Sequence, residues 1–144
     1  MLKNNVFLTQ TDTTIGFISQ NPQKLSDIKK RPLSKHYIKA INSLQTLQQF
    51  TRIPQKHKKM IRRAKQTTFI LPNAYSYRII QNKHHLLLLD RLLWAYTTSA
   101  NLSGQSYDET FAKRSADIQI APLQISQKAS RILKLGAKKI QRIR

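Results

Sequence analysis

The apolar residues of the chain fall into short runs separated by polar turns, and the spacing within these runs changes along the sequence. Runs of about five residues rich in β-branched and aromatic side chains predict strands. These strands are expected at residues 5–9, 36–41, 67–71, 75–80, 96–100, 118–121 and 130–135. Longer segments with apolar residues at helical spacing predict helices. These helices are expected at residues 21–30, 43–50, 55–65, 86–93 and 107–115.

The order of these elements indicates the fold class. Asn21 and Pro22 mark the start of the first helix, because Asn caps free N–H groups and Pro is tolerated in the first turn. Pro32 prevents this helix from continuing. Strands and helices alternate, and the sequence has no internal repeat and no linker. We therefore predict one α/β domain over residues 1–144, with a twisted mixed β-sheet and helices packed on it.

The charge of the chain is strongly one-sided, with 26 Lys and Arg against 6 Asp and Glu, a net charge of +20. Two segments, 52–65 and 128–144, contain seven basic residues each and no acid. Like charges within such a block repel one another, and binding to phosphates releases counterions from the nucleic acid. Both effects favour contact with RNA. A solvated surface and an anionic membrane remain alternatives, although the first segment lacks the apolar face of a membrane helix. The residues expected to contact RNA are Lys58, Lys59, Arg62 and Arg63.

Several classes of protein are excluded by composition. The chain has no Cys, so it has neither disulfides nor thiolate metal sites. Three Gly and five Pro are too few for a collagen-like or low-complexity protein. The first residues lack a signal peptide's apolar run, and the leucine run at residues 86–89 is too short to cross a bilayer. We expect a cytoplasmic protein with no membrane partner.

Candidate chemistry lies in three polar segments beside predicted strand ends, where α/β folds place ligand sites. Residues 11–17 are rich in hydroxyls, residues 29–35 are rich in cations, and residues 98–104 combine hydroxyls with an amide and a glycine. Each alone could be a turn, a charged surface or a helix cap. Together they supply many hydrogen-bond donors, several cations and few bases. This combination suits a nucleoside triphosphate better than an acyl or sugar substrate.

The same segments resemble, in order, the signatures of the YrdC-like threonylcarbamoyl-AMP synthase family (YrdC/YciO type). Residues 98–104 (TSANLSG) match Thr-Ser-Ala-Asn-x-Ser-Gly outright. Residues 10–16 are similar to Pro-Thr-Asp-Thr-x-Tyr-Gly, and residues 29–35 to Lys-x-Arg-Pro-x-x-Lys. Weaker matches at residues 68–71, 77–79 and 129–132 follow in the family's order. The resemblance implies the YrdC-like fold over nearly the whole chain.

The resemblance also implies an activity. In this family L-threonine and bicarbonate form a carbamate that attacks the α-phosphorus of ATP, releasing pyrophosphate. The product, threonylcarbamoyl-AMP, is used by downstream tRNA threonylcarbamoyl-transferase proteins to modify tRNA. The resemblance therefore implies a nucleotidyltransferase with ATP as substrate. Mg²⁺ would arrive with ATP, near Asp12, and neither a dedicated metal site nor a tightly bound cofactor is expected.

Matched residue by residue, the resemblance implies a divided site. Lys29 and Arg31 would neutralise charge, and no distinct catalytic residue is implied. The implied ATP-binding residues are Lys29, Arg31, Lys35, Asn101, Ser103 and Arg142. The implied threonine-binding residues are Thr11, Thr13, Arg78, Ser99 and Ser130. Ser130 and a closing arginine, Arg142 or Arg144, would also cover the nucleotide.

The chain departs from the family pattern at four places. Gln10 and Ile15 replace the Pro and Tyr of the first signature. Ala64, Lys65 and Gln66 replace a Pro-Gly-Pro turn, and Ala129 replaces a later Pro. Two hypotheses follow: a minimal active synthase, which we favour, or a non-catalytic RNA-binding protein on the same fold, contacting tRNA, double-stranded RNA or the ribosome.

Histidines offer little support for a metal site. His84 and His85 are adjacent, and adjacent helical residues point about 100° apart, which is unfavourable for chelating one ion. We expect both on the surface or at the start of a helix.

Overall fold

A computed structural model describes residues 2–123 and 129–144 of the chain. The strands are β1 Phe7–Gln10, β2 Ile15–Ser19, β3 Ile38–Ile41, β4 Thr67–Ile70, β5 Ser76–Ile79, β6 Trp94–Ser99, β7 Ile118–Gln119, β8 Arg131–Leu135 and β9 Ile140–Arg142. The α-helices are α1 Pro22–Lys29, α2 Leu44–Leu47, α3 Lys58–Arg63, α4 Lys83–Leu92 and α5 Glu109–Ser115. Two short 3₁₀ helices span Leu2–Asn4 and Gln55–His57. Lys128 of the predicted basic segment lies outside the described residues.

The described strands form one nine-stranded sheet in the order β7-β1-β2-β6-β3-β5-β4-β8-β9. Three pairs are parallel, namely β1 with β7, β3 with β5 and β4 with β8. The other five pairs are antiparallel. The predicted α/β class with a mixed sheet is therefore confirmed.

Helices pack on both faces of this sheet. Phe7 lies opposite Ile18 in the β1–β2 register, and both pack with Leu89 of α4 on one face. The next pair, Leu8 and Phe17, points to the other face, where α1 and α5 cover it. On that same face, α2 and α3 cover β3, β4 and β5. Two helix groups on one face leave a groove between them.

The first helix begins as the sequence predicts. The Asn21 side chain accepts a hydrogen bond from the Lys24 N–H at 3.2 Å, and Pro22 occupies the first turn. Lys30 ends the helix in the left-handed conformation, with φ of 56°, and its N–H donates to the Ser26 carbonyl. This end directs the following cationic loop back towards the sheet.

Strand β2 is the main element that the sequence pattern did not predict. All five residues of Ile15–Ser19 are buried, so the strand lacks the alternation of a half-buried strand. Gly16 also interrupts the apolar run, and a polar turn precedes it. The short strand β9 was missed as well. Helix α2 is shorter than predicted, and α4 begins three residues earlier.

None of the helices in the described parts of the chain is long and apolar enough to cross a membrane.

Candidate active site

A cleft of about 310 Å³ opens where the three polar segments meet. Its walls come from the β1–β2 turn, the loop after α1, the end of β6, the middle of β5 and the start of β8. The lining residues are Thr13, Thr14, Arg31, His36, Ile38, Arg78, Thr97, Thr98, Ser99, Ala129, Ser130 and Arg144. The fold thus brings together six of the site residues named from the sequence: Thr13, Arg31, Arg78, Ser99, Ser130 and Arg144.

The β1–β2 turn is shaped by its own hydroxyls. The Thr11 hydroxyl donates to the Thr14 carbonyl at 2.6 Å and accepts from the Thr13 N–H at 3.1 Å. The Thr11 hydroxyl is thus hydrogen-bonded within the turn, and its side chain does not line the cleft. Thr11 therefore positions Thr13, whose hydroxyl lies 3.3 Å from that of Thr11, at the cleft wall.

Arg78 is the central cation of the cleft and is 4% exposed. Its Nη2 lies 3.1 Å from the Asp12 carboxylate, and its Nη1 donates to the Thr68 hydroxyl at 3.4 Å. The Thr68 hydroxyl in turn lies 2.8 Å from that of Ser130. Within the described structure, the Arg78 Nε has no hydrogen-bond partner. The guanidinium is thus fixed by two neighbours and keeps an unused donor.

Burial governs the protonation of this ion pair. Burial lowers the pKa of Arg78, and the facing Asp12 carboxylate opposes that effect. Burial likewise raises the pKa of Asp12, against the attraction of Arg78. The Asp12 carboxylate is committed to the guanidinium rather than to a metal. Among residues 2–123 and 129–144, no three His, Asp or Glu side chains group as a metal site.

His85 stands behind this pair, at the start of a helix as expected, but it is buried rather than on the surface. Both histidines do lie in the first turn of α4, but His85 is only 1% exposed. Its Nδ1 is 3.8 Å from the Asp12 carboxylate. Burial, together with the charge of Arg78, lowers the pKa of His85 to about 3, so the ring is neutral at physiological pH. His84 is half-buried, and its Nε2 lies 3.4 Å from the Thr9 hydroxyl.

Lys29, an implied phosphate ligand, lies behind the cleft wall and is 3% exposed. Its ammonium donates to the main-chain carbonyls of Ser99 at 2.8 Å and Asn101 at 2.7 Å. The Ser103 N–H donates back to the Lys29 carbonyl at 3.2 Å. Burial first, and the charge of Arg31 second, lower the pKa of Lys29 to about 8. Lys29 therefore anchors the 99–103 loop to α1.

Replacing Lys29 by Met should lower the free energy of unfolding by about 2 kcal/mol, because two buried carbonyls lose their donor. The Lys29 pKa of about 8 lies below the ordinary 10.5, so the folded chain binds fewer protons between these values. The stability advantage of wild type over Lys29→Met should therefore increase as pH rises from 8 towards 10. Urea unfolding across this range measures it.

The matched control is Lys24→Met on the same helix. Lys24 donates to the Asn4 carbonyl and pairs with Asp117 at 3.2 Å, but its side chain is 43% exposed. An exposed ion pair contributes little, typically below about 1 kcal/mol. Equal losses for the two variants, or a Lys29→Met loss that is independent of pH, would contradict the anchoring role.

The remaining implied phosphate ligands divide into two groups. Arg31 lines the cleft, donates from Nη2 to the His36 carbonyl at 2.8 Å, and lies 4.5 Å from the centre of the Tyr37 ring. Lys35 and Ser103 are exposed outside the cleft lining, and Asn101 donates its amide to the carbonyls of residues 102 and 105. Only Arg31 therefore reaches the cleft directly.

The closing arginine at the cleft is Arg144. Its Nε donates to the Ser130 carbonyl at 3.0 Å, and its side chain lines the cleft. Arg142 lies exposed in β9, outside the lining. Sequence reasoning also left His36 and Thr97 unassigned, although each is the neighbour of a recognised segment. Extending each motif by one residue finds both.

The family model Sua5_yciO_yrdC, described as "Telomere recombination", matches residues 1–144. The chain belongs to the Sua5/YciO/YrdC family. It is also 31% identical over 105 residues to the protein MG259 of Mycoplasma genitalium, described as uncharacterized. That match covers 68% of this chain and 21% of MG259, so the chain spans about a fifth of this curated relative.

Solved structures of the same family share the fold. P. abyssi Sua5 complexed with L-threonine superposes with a TM-score of 0.79 at 16% identity, covering 97% of this chain and 50% of Sua5. A variant of P. abyssi Sua5 gives 0.82 at 16% identity, covering 97% and 49%. E. coli YciO gives 0.77 at 18% identity, covering 99% and 83%. The chain therefore spans half of Sua5 and most of YciO.

The positions that depart from the family pattern have structural roles of their own. Ile15 is 5% exposed and packs in the cluster under α1, outside the cleft lining. Gln66 adopts a left-handed φ of 50° after α3 and donates from its side chain to the Asp12 carbonyl at 2.8 Å. Gln81 donates to the Ala64 carbonyl at 2.8 Å. These bonds hold the turn before β4 next to the Asp12–Arg78 pair.

Proposed function

We propose that this chain is a threonylcarbamoyl-AMP synthase, forming threonylcarbamoyl-AMP and pyrophosphate from L-threonine, bicarbonate and ATP. The observation that carries the proposal is the buried Arg78, which is fixed by Asp12 and lines a cleft rich in hydroxyls. Family membership and the likeness to Sua5, solved with L-threonine bound, support it.

The threonine half of the proposed site surrounds Arg78. A guanidinium offers paired donors in a plane, which matches a carboxylate. Thr13, Ser99 and Ser130 supply hydroxyls within the same cleft for the amine and hydroxyl of threonine. At this end the amine, after losing a proton to solvent, would attack the carbon of bicarbonate and displace water, and the nearby cations favour the resulting carbamate anion.

The phosphate half of the proposed site lies towards Arg31 and Arg144. Both guanidiniums line the cleft, and Lys35 lies in the exposed loop after Arg31. Arg31 is held by its bond to the His36 carbonyl, while its Nε has no partner in the described structure. Mg²⁺ would enter bound to the ATP phosphates.

The proposed reaction joins two anions. A carbamate oxygen forms a bond to the α-phosphorus of ATP, and the bond to the bridging oxygen breaks with its electron pair leaving on pyrophosphate. The attacking oxygen is already anionic, so the step needs no general base. Catalysis then consists of positioning and charge neutralisation, supplied here by Arg31, Arg78 and Arg144.

Pyrophosphate release from ATP tests the proposal. We expect release that requires both L-threonine and bicarbonate. Arg31→Ala should lower the rate about 100-fold, the usual cost of losing a group that stabilises transition-state charge. Arg31→Lys should restore part of it, and Arg52→Ala, an exposed cation away from the cleft, should leave it unchanged. No threonine-dependent release from folded protein would reject the proposal.

The proposed product leaves the cleft for downstream tRNA threonylcarbamoyl-transferase proteins.

RNA binding is the second candidate function, and the surface of α3 favours it. Ile61 packs in the core and directs Lys59, Arg62 and Arg63 into solvent, while Lys58 is half-buried. No acid interrupts this helix. If α3 binds RNA through its charge, the affinity should fall steeply as the salt concentration rises. Nucleic acids with equal numbers of phosphates should show the same dependence.

A further inference from the structure

A second concavity, of about 400 Å³, lies on the sheet face between the two helix groups. Strands β3, β5 and β6 form its floor, and we call it the aromatic groove. Its lining includes Tyr37, Phe50, Tyr75, Tyr77 and Tyr96, together with His36 and Lys39. A volume of this size is typical of ligand sites. None of the described residues that line it is acidic.

Lys39 is the unusual member of the aromatic groove. It lies in register with Tyr77 on β5 and Tyr96 on β6. Its ammonium is 4.0 Å from the ring centre of Phe50, 4.6 Å from that of Trp94 and 5.4 Å from that of Tyr96. Burial lowers the pKa of Lys39. A cation partly removed from water over three rings is attracted by them but still lacks an anion.

Nothing in the described structure pairs with the Lys39 ammonium except these rings, since no carboxylate or carbonyl lies within bonding distance. A lysine used only as packing typically extends its charged end into water. Here the ammonium instead stays over the rings that line a surface groove. The arrangement supplies a positive charge and aromatic faces side by side, which is the combination that binds nucleotides in single strands.

The rim of the aromatic groove presents a further ring. Tyr75 is 48% exposed and meets His36 edge-on at 4.9 Å. The turn before β5 holds Tyr75 there, because its N–H donates to the Asn73 side chain at 3.0 Å. The Asn73 amide also donates to the Tyr77 hydroxyl at 2.9 Å. An ordered ring at an open rim can stack on a base.

The aromatic groove lies on the same face of the sheet as the basic helix. Phe50 and Trp94 pack against the same core cluster as Met60 and Ile61 of α3. The exposed cations of α3 and the groove therefore share one face of the sheet. A chain of net charge +20 attracts a polyanion such as RNA to this face.

We propose that the aromatic groove binds an unstacked base of single-stranded RNA, with Lys39 contacting the adjoining phosphate. This site is separate from the cleft that carries the proposed synthase activity and does not depend on that activity. Base stacking on aromatic side chains contributes substantially per base and tolerates different bases. The groove would thus bind unpaired RNA with little sequence preference.

Trp94 is the only tryptophan of the chain, and its ring contacts the Lys39 ammonium, so its fluorescence reports on events at the groove. The test titrates the full chain, without ATP or threonine, with a fluorescein-labelled oligouridylate or an abasic oligonucleotide of equal length. We expect the oligouridylate to quench Trp94 fluorescence and to bind about tenfold more tightly than the abasic strand. Equal affinities, or binding without quenching, would overturn the proposal.

Variants separate the groove from general charge attraction. Tyr75→Ala and Lys39→Met should each weaken oligouridylate binding about tenfold, and Tyr75→Ala should leave the abasic strand unaffected. The matched control is Tyr107→Ala, which removes a tyrosine 38% exposed elsewhere. Neutralising Lys59, Arg62 and Arg63 together should weaken both strands alike and reduce the salt dependence. Equal losses for Tyr75→Ala and Tyr107→Ala would overturn the proposal.

A competing occupant is a second copy of the chain. Sedimentation across a concentration range detects it, with thermal unfolding confirming that each variant is folded. Self-association that Tyr75→Ala abolishes would assign the groove to a protein interface and overturn the proposal. A monomer at all concentrations, together with Trp94 quenching, supports RNA as the occupant.

Discussion

Replacing Arg78 by Met is expected to lower the free energy of unfolding by about 3–5 kcal/mol and to abolish threonine-dependent pyrophosphate release. The side chain is buried against Asp12, so its removal leaves a carboxylate without a partner in the interior. An unpaired buried carboxyl takes up a proton, and the loss of stability should therefore shrink as the pH falls. Urea unfolding at several pH values measures the first effect.

A double variant separates the structural role of Arg78 from its proposed role in binding. Adding Asp12→Asn to Arg78→Met removes the stranded charge and should recover much of the stability, because both members of the buried pair are then neutral. It should recover no activity, since the carboxylate of threonine still lacks its guanidinium. Threonine binding by calorimetry completes the test. Activity in Arg78→Met, or recovered activity in the double variant, would contradict the role assigned to Arg78.

Replacing Gly16 by Ala is expected to have the second largest effect, a loss of about 3 kcal/mol in the free energy of unfolding. A Cβ at this position would lie 2.9 Å from the Thr98 carbonyl oxygen and 2.9 Å from the Thr11 Cγ2. The carbonyl belongs to β6 and cannot rotate away, so strand β2 must shift. That shift displaces the turn carrying Thr13, and pyrophosphate release should fall about tenfold.

Two further variants sharpen the Gly16 result. Gly136→Ala is the matched control, because the nearest atom to its added Cβ would be the Lys139 carbonyl oxygen at 3.9 Å. Thr11→Ser removes the clashing methyl but keeps the hydroxyl that shapes the turn, so it should partly rescue Gly16→Ala. Similar free energies of unfolding for the two glycine variants, measured by urea unfolding, would show that β2 accommodates a Cβ at residue 16 and would contradict the prediction.

The parts of the site that could be predicted from the sequence are those formed by residues adjacent in the chain. Thr13, Arg31 and Ser99 each belong to a short motif beside a strand, so local sequence was enough to bring them to one cleft. The Asn21 cap was predictable for the same reason. Arg78 was found only through the resemblance to a family, because a single arginine in a strand carries no local signal.

Contacts between distant segments could not be predicted from these patterns. Asp12 in the β1–β2 turn pairs with Arg78 of β5, and His85 of α4 lies next to the same carboxylate. A buried histidine and an exposed one look alike in a sequence. Lys29 is assigned to phosphates through the resemblance to the family, whereas its ammonium binds two carbonyls behind the cleft. Strand β2 was missed because burial on both faces removes the alternating pattern.

The anchor formed by Lys29 has a consequence for how this site can change. Its ammonium holds the main-chain carbonyls of Ser99 and Asn101, and a carbonyl is present whatever side chain a residue carries. The side chain of Ser99 can therefore vary at the cleft wall without loosening the loop. A substitution of Ser99 would thus alter the cleft wall while leaving both hydrogen bonds from Lys29 in place.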